Sequence, residues 1–168
     1  MISTDSLPAE IGLRPETAGD RGFLETLFVG IRWSEFDVAG WPDSVRAHFL
    51  AQQFALQTRH YAQTYVGGFF GVVERKSAPI GRLYLYDASH DLRLIDISLI
   101  GEARGAGLGT AVLRAIQHHA AAAGQTVSLS VEGNNPARRL YHRLGFEEVG
   151  AEGPYTQMSW RPSGRDGA

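Results

Sequence analysis

The heptapeptide RGAGLGT, residues 104–110, lies between a predicted strand and a predicted helix. Its three alternate glycines allow the backbone to turn tightly and bring bare N–H groups close to a ligand. The helix that follows adds unpaired N–H groups and the positive end of its dipole, which suit a pyrophosphate. Arg104 can add a charge-assisted hydrogen bond. The stretch therefore predicts an anion-binding turn.

The segments around this turn predict a mixed sheet. Residues 92–100 and 126–131 have strand patterns, and residues 108–123 have helical periodicity. Such a strand–helix–strand unit forms a right-handed crossover between parallel strands. Upstream, residues 69–74 and 80–86 precede the 92–100 strand as an antiparallel meander. An antiparallel meander joined to one parallel pair gives a mixed sheet flanked by helices.

The remaining segments complete one domain, predicted to span residues 11–160 with flexible tails at 1–10 and 161–168. We expect Asn135 to cap a short helix that carries Pro136 in its first turn and ends at Gly145. The other predicted elements are helices at 18–32 and 44–65, a loop at 33–43, and strands at 11–14, 146–150 and 155–160.

Composition excludes several classes of protein. The chain has 168 residues, 43% of them hydrophobic, and no cysteine, which excludes disulfide scaffolds, thiolate metal sites and cysteine nucleophiles. A net charge of −2 disfavours nucleic acid as a partner. Because no apolar run approaches the roughly 20 residues that cross a bilayer, we expect no membrane partner and a cytoplasmic protein. The six histidines show no metal-binding spacing, so no metal is expected.

Two other phosphate-binding motifs fit the turn less well. A P-loop needs Gly-Lys-Ser/Thr, but the one lysine of the chain is Lys76. A dinucleotide fingerprint needs a third glycine or alanine where Thr110 stands, although Glu132 supplies an acid after the next strand. The antiparallel meander and the small number of following strand–helix units also disfavour the dinucleotide interpretation.

Two motifs resemble the GNAT superfamily of N-acetyltransferases. Residues 104–109 match its pyrophosphate loop, Gln/Arg-x-x-Gly-x-Gly/Ala. The second signature, Asn-x-x-Ala-x-x-Leu-Tyr-x-x-x-Gly-Phe, is matched at every specified position from Asn134 to Phe146. The resemblance covers residues 66–160 well and residues 11–65 in layout only. It implies a GNAT-type α/β fold: a mixed, mostly antiparallel sheet with one parallel strand pair splayed at the cofactor site, flanked by helices.

The resemblance implies direct transfer of acetyl from acetyl-CoA, as co-substrate, to a primary amine in a ternary complex. A homodimer is compatible with it. A non-catalytic acyl-CoA-binding or sensor domain of the same fold is the alternative. Gly101 departs from the proline that is frequent there in the family. The implied cofactor-binding residues are Leu99, Ile100, Gly101, Arg104, Gly105, Ala106, Gly107, Leu108, Gly109, Thr110, Asn134, Ala137 and Tyr141.

Tyr141 is the candidate general acid that the resemblance implies. Attack of an amine on a thioester expels a thiolate, whose conjugate acid has a pKa near about 8.5. A phenol with a pKa of about 10 can donate a proton to that sulfur and stays un-ionised at neutral pH. The alternative is that Tyr141 only packs with its helix neighbours.

The sequence does not decide which residue acts as the general base. Some relatives that acetylate protein N-termini carry a glutamate five places before the motif asparagine, where this chain has Leu129. Asp96, an acid within an apolar strand, is the catalytic candidate, and a structural hydrogen-bonding role is its alternative. Glu132 is the second candidate for the general base.

The acceptor is predicted to contact the segment between the first two helices. Trp33, Glu35 and Asp37 combine an aromatic face with carboxylates, which suits a cationic amine. The alternative is that the tryptophans of this segment pin it to the core and that its acids are ordinary helix-terminal charges. The identity of the amine is not encoded in any motif.

Overall fold

Seven strands form one sheet in the computed structural model, which describes residue 2 and residues 7–163. The strands are β1 (Ile11–Pro15), β2 (Phe69–Arg75), β3 (Ala78–Asp87), β4 (Asp91–Leu99), β5 (Thr126–Glu132), β6 (Glu147–Glu152) and β7 (Tyr155–Trp160). Their order across the sheet is β1-β2-β3-β4-β5-β7-β6.

One neighbouring pair in this sheet is parallel, and the others are antiparallel. The parallel pair is β4 with β5, and it is the crossover that the sequence predicts. These two strands pair only through residues 91–94 and 126–129, although both continue beyond. The predicted fold class, with its splayed parallel pair, is therefore confirmed.

The helices cover both faces of the sheet. They are α1 (Arg21–Arg32), α2 (Asp43–Thr64), α3 (Leu108–Ala123) and α4 (Ala137–Arg143). Leucines and phenylalanines of α1 and α2 pack on Val72 in one core cluster. The next residue along β2, Val73, belongs to a larger cluster with α3 and α4. Because side chains of a strand alternate between faces, α1 and α2 cover one face and α3 and α4 the other.

The termini of α3 and α4 follow the sequence closely. Gly124 directly follows α3, and Gly145 lies one residue beyond the residue that follows α4. Both adopt left-handed conformations, with φ of 69° and 83°. Only glycine adopts this conformation at little cost. Asn135 Oδ1 accepts a hydrogen bond from the Ala137 N–H at 2.9 Å, so this side chain caps the helix as predicted, although α4 begins after Pro136.

The predicted loop between α1 and α2 is largely a 3₁₀-helix, Trp33–Ala39. Parts of the predicted N-terminal tail are packed: Ile2 is buried, and Leu7 lies against the larger core. Residues 1, 3–6 and 164–168 of the predicted tails lie outside the described residues. Among the described helices, none combines the length and the apolar character needed to cross a membrane.

Candidate functional site

The gap between β4 and β5 begins at a bulge. Tyr84 of β3 pairs with Asp96, whereas the next residue, Leu85, pairs with Leu94, so Ile95 is an extra residue on β4. A bulge bends its strand and increases the local twist. Here it lies directly after Leu94, the last residue of β4 that pairs with β5. The bulge therefore coincides with the point at which the two strands part.

Main-chain groups of β4 face this gap. The Ile100 N–H donates to the Ile80 carbonyl at 2.8 Å, so Ile100 faces β3. Because successive residues of a strand direct their N–H and C=O to opposite sides, those of Leu99 and Ile97 point to the gap. Of the three main-chain positions that the sequence suggested, Leu99 faces the gap, Ile100 is engaged by β3, and Gly101 begins a 3₁₀ turn. The sequence analysis did not name Ile97, although it lies two residues before Leu99 and therefore faces the same side of the strand.

Two cavities meet at the gap. The glycine-turn cavity, of about 440 Å³, lies against α3 and α4, and the α2-side cavity, of about 620 Å³, lies against α1 and α2. The glycine-turn cavity lies on the face covered by α3 and α4, whereas the α2-side cavity opens on the other face and reaches through the gap to Ala137 and Tyr141 of α4. They therefore offer two ligands a meeting point at the parted strands. The residues that line both are Ile97, Leu99, Arg104, Ala137 and Tyr141.

The glycine-turn cavity has the features of an anion site. Gly105 and Gly107 have φ of 79° and 76°, so the turn needs glycine there for conformational reasons. Gly107 is the N-cap of α3, and the first engaged amide of the helix is the Ala111 N–H, on the Gly107 carbonyl. No side chain of the described residues caps this helix terminus. The preceding N–H groups are thus available to a ligand.

Gly109 is not required by the protein itself. A Cβ at this position would lie 3.8 Å from Leu140 Cδ2, an ordinary contact, and its φ is not positive. Glycine in a helix is less favourable than alanine by up to about 1 kcal/mol. The missing side chain therefore leaves space above the helix terminus for a ligand to approach.

The lining of this cavity, within the part of the chain that the structure describes, includes two arginines and no acidic residue. Arg104 donates from Nε to the Leu99 carbonyl at 2.9 Å, and Arg143 of α4 lies at the wall. The sequence analysis did not name Arg143. Its position on the short predicted helix that follows the motif asparagine could have indicated that it lies near the turn. Ala106 and Leu108 of the predicted set do not line the cavity, and Asn134 lies in an exposed turn outside both cavities.

Tyr141 lies at the junction of the two cavities. The residue is 7% exposed, and its ring packs edge-on against Phe146, with ring centroids 5.7 Å apart. Burial, aided by the negative charge of Asp96, raises the pKa of Tyr141 to about 12. The phenol therefore keeps its proton at every ordinary pH.

Asp96 is held in an ion pair. Its Oδ2 accepts from Arg82 Nη2 at 2.6 Å, and its Oδ1 accepts from Ser98 Oγ at 2.7 Å. Arg82 Nη2 also donates to Gln57 Oε1 of α2 at 2.8 Å. Burial alone would lower the pKa of Arg82, but the charge and hydrogen bond of Asp96 raise it above its ordinary value. This geometry favours the structural alternative for Asp96, because both oxygens are engaged.

The predicted acceptor-binding residues of the Trp33–Ala39 segment lie in two different environments. Glu35 lines the α2-side cavity and pairs with Arg32 Nη2 at 3.0 Å. Asp37 instead pairs with Arg46 Nη1 at 2.7 Å, and the Arg46 guanidinium lies over the Trp33 ring, 4.8 Å from its centroid. Trp33 and Asp37 are therefore engaged in holding α2 against the 3₁₀-helix, away from the cavity. Sequence could not distinguish them from Glu35, because the 3₁₀-helix decides which way each side chain points.

Comparisons with known proteins agree with this geometry. Residues 89–153 match the family model of FR47-like proteins. The PaiA N-acetyltransferase of Thermoplasma acidophilum, solved with coenzyme A, superposes with a TM-score of 0.66 at 17% identity, over 90% of this chain and 99% of that one. The chain has the GNAT fold. The predicted resemblance to the GNAT superfamily is thereby confirmed.

Further acetyltransferase structures match over similar lengths. An acetyltransferase of Thermus thermophilus has a TM-score of 0.65 at 22% identity, over 90% of this chain and 97% of that one. The spermidine N-acetyltransferase of Vibrio cholerae, solved with CoA and spermine, has a TM-score of 0.60 at 21% identity, over 92% and 96%. A search of curated proteins gave no match. Among the described residues, no cluster of His, Asp or Glu could hold a metal ion.

The ion pair between Arg82 and Asp96 should stabilise this GNAT fold as a unit. Asp96→Asn leaves a buried guanidinium without its counter-charge, which should lower the free energy of unfolding by about 3 kcal/mol. Arg82→Met should cost a similar amount, and the double variant should be about as stable as either single one. Urea unfolding of the four proteins measures this coupling. Additive losses would contradict it.

Proposed function

We propose that residues 11–160 act as a single acetyl-CoA-dependent N-acetyltransferase domain, which transfers acetyl directly to a primary amine in a ternary complex. The observation that carries the proposal is the meeting of two cavities, from opposite faces of the sheet, at the gap beside Tyr141. Each substrate then enters by its own cavity. The PaiA enzyme, solved with coenzyme A, and the spermidine enzyme, solved with CoA and spermine, support the proposal.

In this proposal the glycine-turn cavity takes the phosphates of acetyl-CoA. The free N–H groups at residues 105–110 bind the pyrophosphate, and Arg104 and Arg143 contribute positive charge. The pantetheine arm follows the gap as an added strand, where its amide groups pair with the main chain of Ile97 and Leu99. Asn134 has no part in this assignment because it lies in an exposed turn outside the cavities.

Proposed chemistry at the gap uses Tyr141 as the general acid. The amine nitrogen attacks the thioester carbonyl carbon, a C–N bond forms, and the carbonyl oxygen becomes an oxyanion. The C–S bond then breaks, and the Tyr141 hydroxyl gives its proton to the departing sulfur. The excess proton on nitrogen passes to water in the open α2-side cavity or to Glu132 at its edge, and the Tyr141 phenolate takes a proton back from that water. Asp96 holds the site in place, because its oxygens are already engaged.

A non-catalytic acyl-CoA-binding domain is the second candidate. Two observations favour it: Leu129 is buried where some relatives carry a glutamate, and Asp96 is ion-paired. Of the acidic residues that line the α2-side cavity in the described part of the chain, Glu132 is then the one without an ion pair. Such a domain would bind acetyl-CoA and turn nothing over.

A screen of amines decides between the two candidates. The protein is mixed with acetyl-CoA and a panel of monoamines, diamines, amino acids and peptides, and released CoA is measured with a thiol reagent. We expect release with a subset of the amines. Tight binding of acetyl-CoA in calorimetry without release above the rate in buffer would establish the binding domain and overturn the enzyme.

Gly109→Ala should separate stability from cofactor affinity. The added methyl group favours the helix and meets only Leu140, so the variant should be at least as stable as the parent. The same methyl group fills the space assigned to the pyrophosphate and should weaken CoA binding by about tenfold.

Gly22→Ala is the matched control, because Gly22 is also the second residue of a helix and a Cβ added there would meet no atom within 4 Å. It should keep the CoA affinity of the parent. Calorimetric titration with CoA and thermal melting measure both properties. An unchanged affinity for CoA in a folded Gly109→Ala protein would show that the phosphates do not bind at this turn.

Tyr141→Phe should lower kcat by about a hundredfold, because it removes the proton donor to the sulfur. The dissociation constant of CoA should change little, since the ring and its packing remain. Because the pKa of Tyr141 is about 12, the parent should show no loss of kcat from this group between about pH 6 and 10. Full turnover by the variant would leave Tyr141 with a packing role only.

A further inference from the structure

Three polar side chains form one corner of the α2-side cavity. Arg82 of β3 lines the cavity, and so do Gln57 and Tyr61 of α2. Gln57 and Tyr61 lie four residues apart on their helix, so they project from the same face. Arg82 Nη2 donates to Gln57 Oε1 at 2.8 Å, which joins the strand to the helix at this place. We call these three residues the donor corner.

The side chain of Arg82 is buried but only partly engaged. The residue is 4% exposed, and its Cζ lies 5.0 Å from the centroid of the Tyr84 ring and 6.0 Å from that of Phe28. Both of its hydrogen bonds leave from Nη2, to Gln57 and to Asp96. Among the described residues, neither Nε nor Nη1 has a partner. Because unpaired buried donors are costly, the guanidinium favours a further acceptor from a ligand in the cavity.

Gln57 and Tyr61 add two further donors. An arginine N–H can bond only to the oxygen of the Gln57 amide, so the amide nitrogen is the group left for a ligand. Tyr61 packs edge-on against Tyr84, with ring centroids 6.1 Å apart, and its hydroxyl bonds to no residue in the described part of the chain. Burial, aided by the charge of Asp96, raises the pKa of Tyr61, so the hydroxyl keeps a proton to donate.

The acceptor atoms beside the corner are already used. Asp96 accepts from Arg82 through Oδ2 and from Ser98 through Oδ1. Gln57 Oε1 accepts from Arg82. Glu132 also lines the cavity, but it belongs to β5, and β4 and the gap separate that strand from β3. The corner therefore offers N–H and O–H groups to a ligand, and the complementary group is one that only accepts hydrogen bonds.

An ionised carboxylate has this character. It carries acceptors and no donor, and its hydrogen bonds with guanidinium groups are among the strongest in proteins. A primary amide would bring an NH₂ group against the donors of the corner. A doubly charged phosphate would meet a single guanidinium whose charge Asp96 already balances. A carboxylate, with one charge and two oxygens, therefore fits the corner best.

We infer that the amine acceptor also carries a carboxylate, as an amino acid does, and that the donor corner binds this group while the amine reacts beside Tyr141. This inference rests on the proposed function for its reacting amine. Asp96 links the two places, because it bonds to Arg82 and its charge helps to raise the pKa of Tyr141. Arg82 is then a specificity-determining residue for the acceptor.

Amino acids and their amides form matched pairs that test this inference. We compare glycine, β-alanine, 4-aminobutanoate and leucine, each with its primary amide, so that the members of a pair differ in the carboxylate alone. The ratio of kcat/KM for acid over amide should be at least about tenfold for one pair or more, mainly through KM. Amine basicity cannot cause this preference, since the amide holds the less basic amine and more of that amine is unprotonated at neutral pH.

Arg82→Lys and Tyr61→Phe each remove part of the corner. Lysine keeps a positive charge for Asp96 but lacks the second nitrogen that would meet the ligand, so the ratio should fall to about threefold or less. Phenylalanine keeps the ring against Tyr84 and removes only the hydroxyl, which should lower the ratio by about threefold. Because Tyr61→Phe leaves the ion pair intact, it tests the corner even if Arg82→Lys does not fold.

Tyr65→Phe is the control, because Tyr65 directly follows α2 and packs on Tyr86, outside the residues that line the cavity. It should keep the ratio of the parent. If Arg82 only supported the fold, Arg82→Lys would lower turnover of acid and amide alike and leave the ratio unchanged. That result, an unchanged ratio in Tyr61→Phe, or equal kcat/KM for acid and amide in the parent, overturns the inference.

A binding measurement separates this inference from the proposed function. Calorimetric titration of the CoA-saturated protein with the four acids should show binding by at least one that its amide lacks and that Tyr61→Phe weakens about threefold. Such binding without turnover of any amine would retain the carboxylate site and reject the enzyme. Turnover of amines with no preference for the acids, in binding or in rate, would retain the enzyme and reject the carboxylate site.

Discussion

The parting of β4 from β5 is the constraint on which the rest of the structure depends. A parallel pair normally continues its ladder to the strand ends, because unpaired main-chain groups are costly away from water. Here the ladder stops at Leu94 and Leu129, and the bulge at Ile95 bends β4 away. The pairing of β4 with β3 continues to Leu99, so the strand remains ordered while one edge is open. An ordered open edge is what an extended ligand can complete.

Several independent features hold that edge in place. The ion pair between Arg82 and Asp96 ties β3 to the first residue after the bulge, and Gln57 links the pair to α2. Arg104 bonds the Leu99 carbonyl at the far end. The side chain of Asp96 thus serves the architecture of the gap, while its charge reaches Tyr141 and helps to keep that phenol protonated. One carboxylate can serve both purposes because it is fixed and only partly exposed to water.

Sequence predicted the elements and the tight glycine turn well, because both depend on local chemistry. The glycines at 105 and 107 and the cap at Asn135 act within a few residues of themselves. The partner of Asp96 depends on strand register instead. Arg82 and Ser98 are register partners in the β3–β4 hairpin, but the bulge at Ile95 shifts the pairing beyond them, and no local pattern encodes that shift. Likewise, the sequence grouped Trp33, Glu35 and Asp37 as one cation site, whereas the 3₁₀-helix turns Trp33 and Asp37 toward Arg46.

Approach from two faces also limits the chemistry that this sheet can support. Leu113 and Leu140 lie with the glycine turn on one face, whereas Gln57 and Tyr61 lie on the other. Two substrates bound in this way meet only at the gap, so neither has to leave before the other binds. A covalent intermediate on the protein would require a nucleophile at the gap. Tyr141 is poorly suited to that role, because burial and the charge of Asp96 raise its pKa to about 12. The arrangement therefore supports the proposed direct transfer, with the phenol as the proposed proton donor.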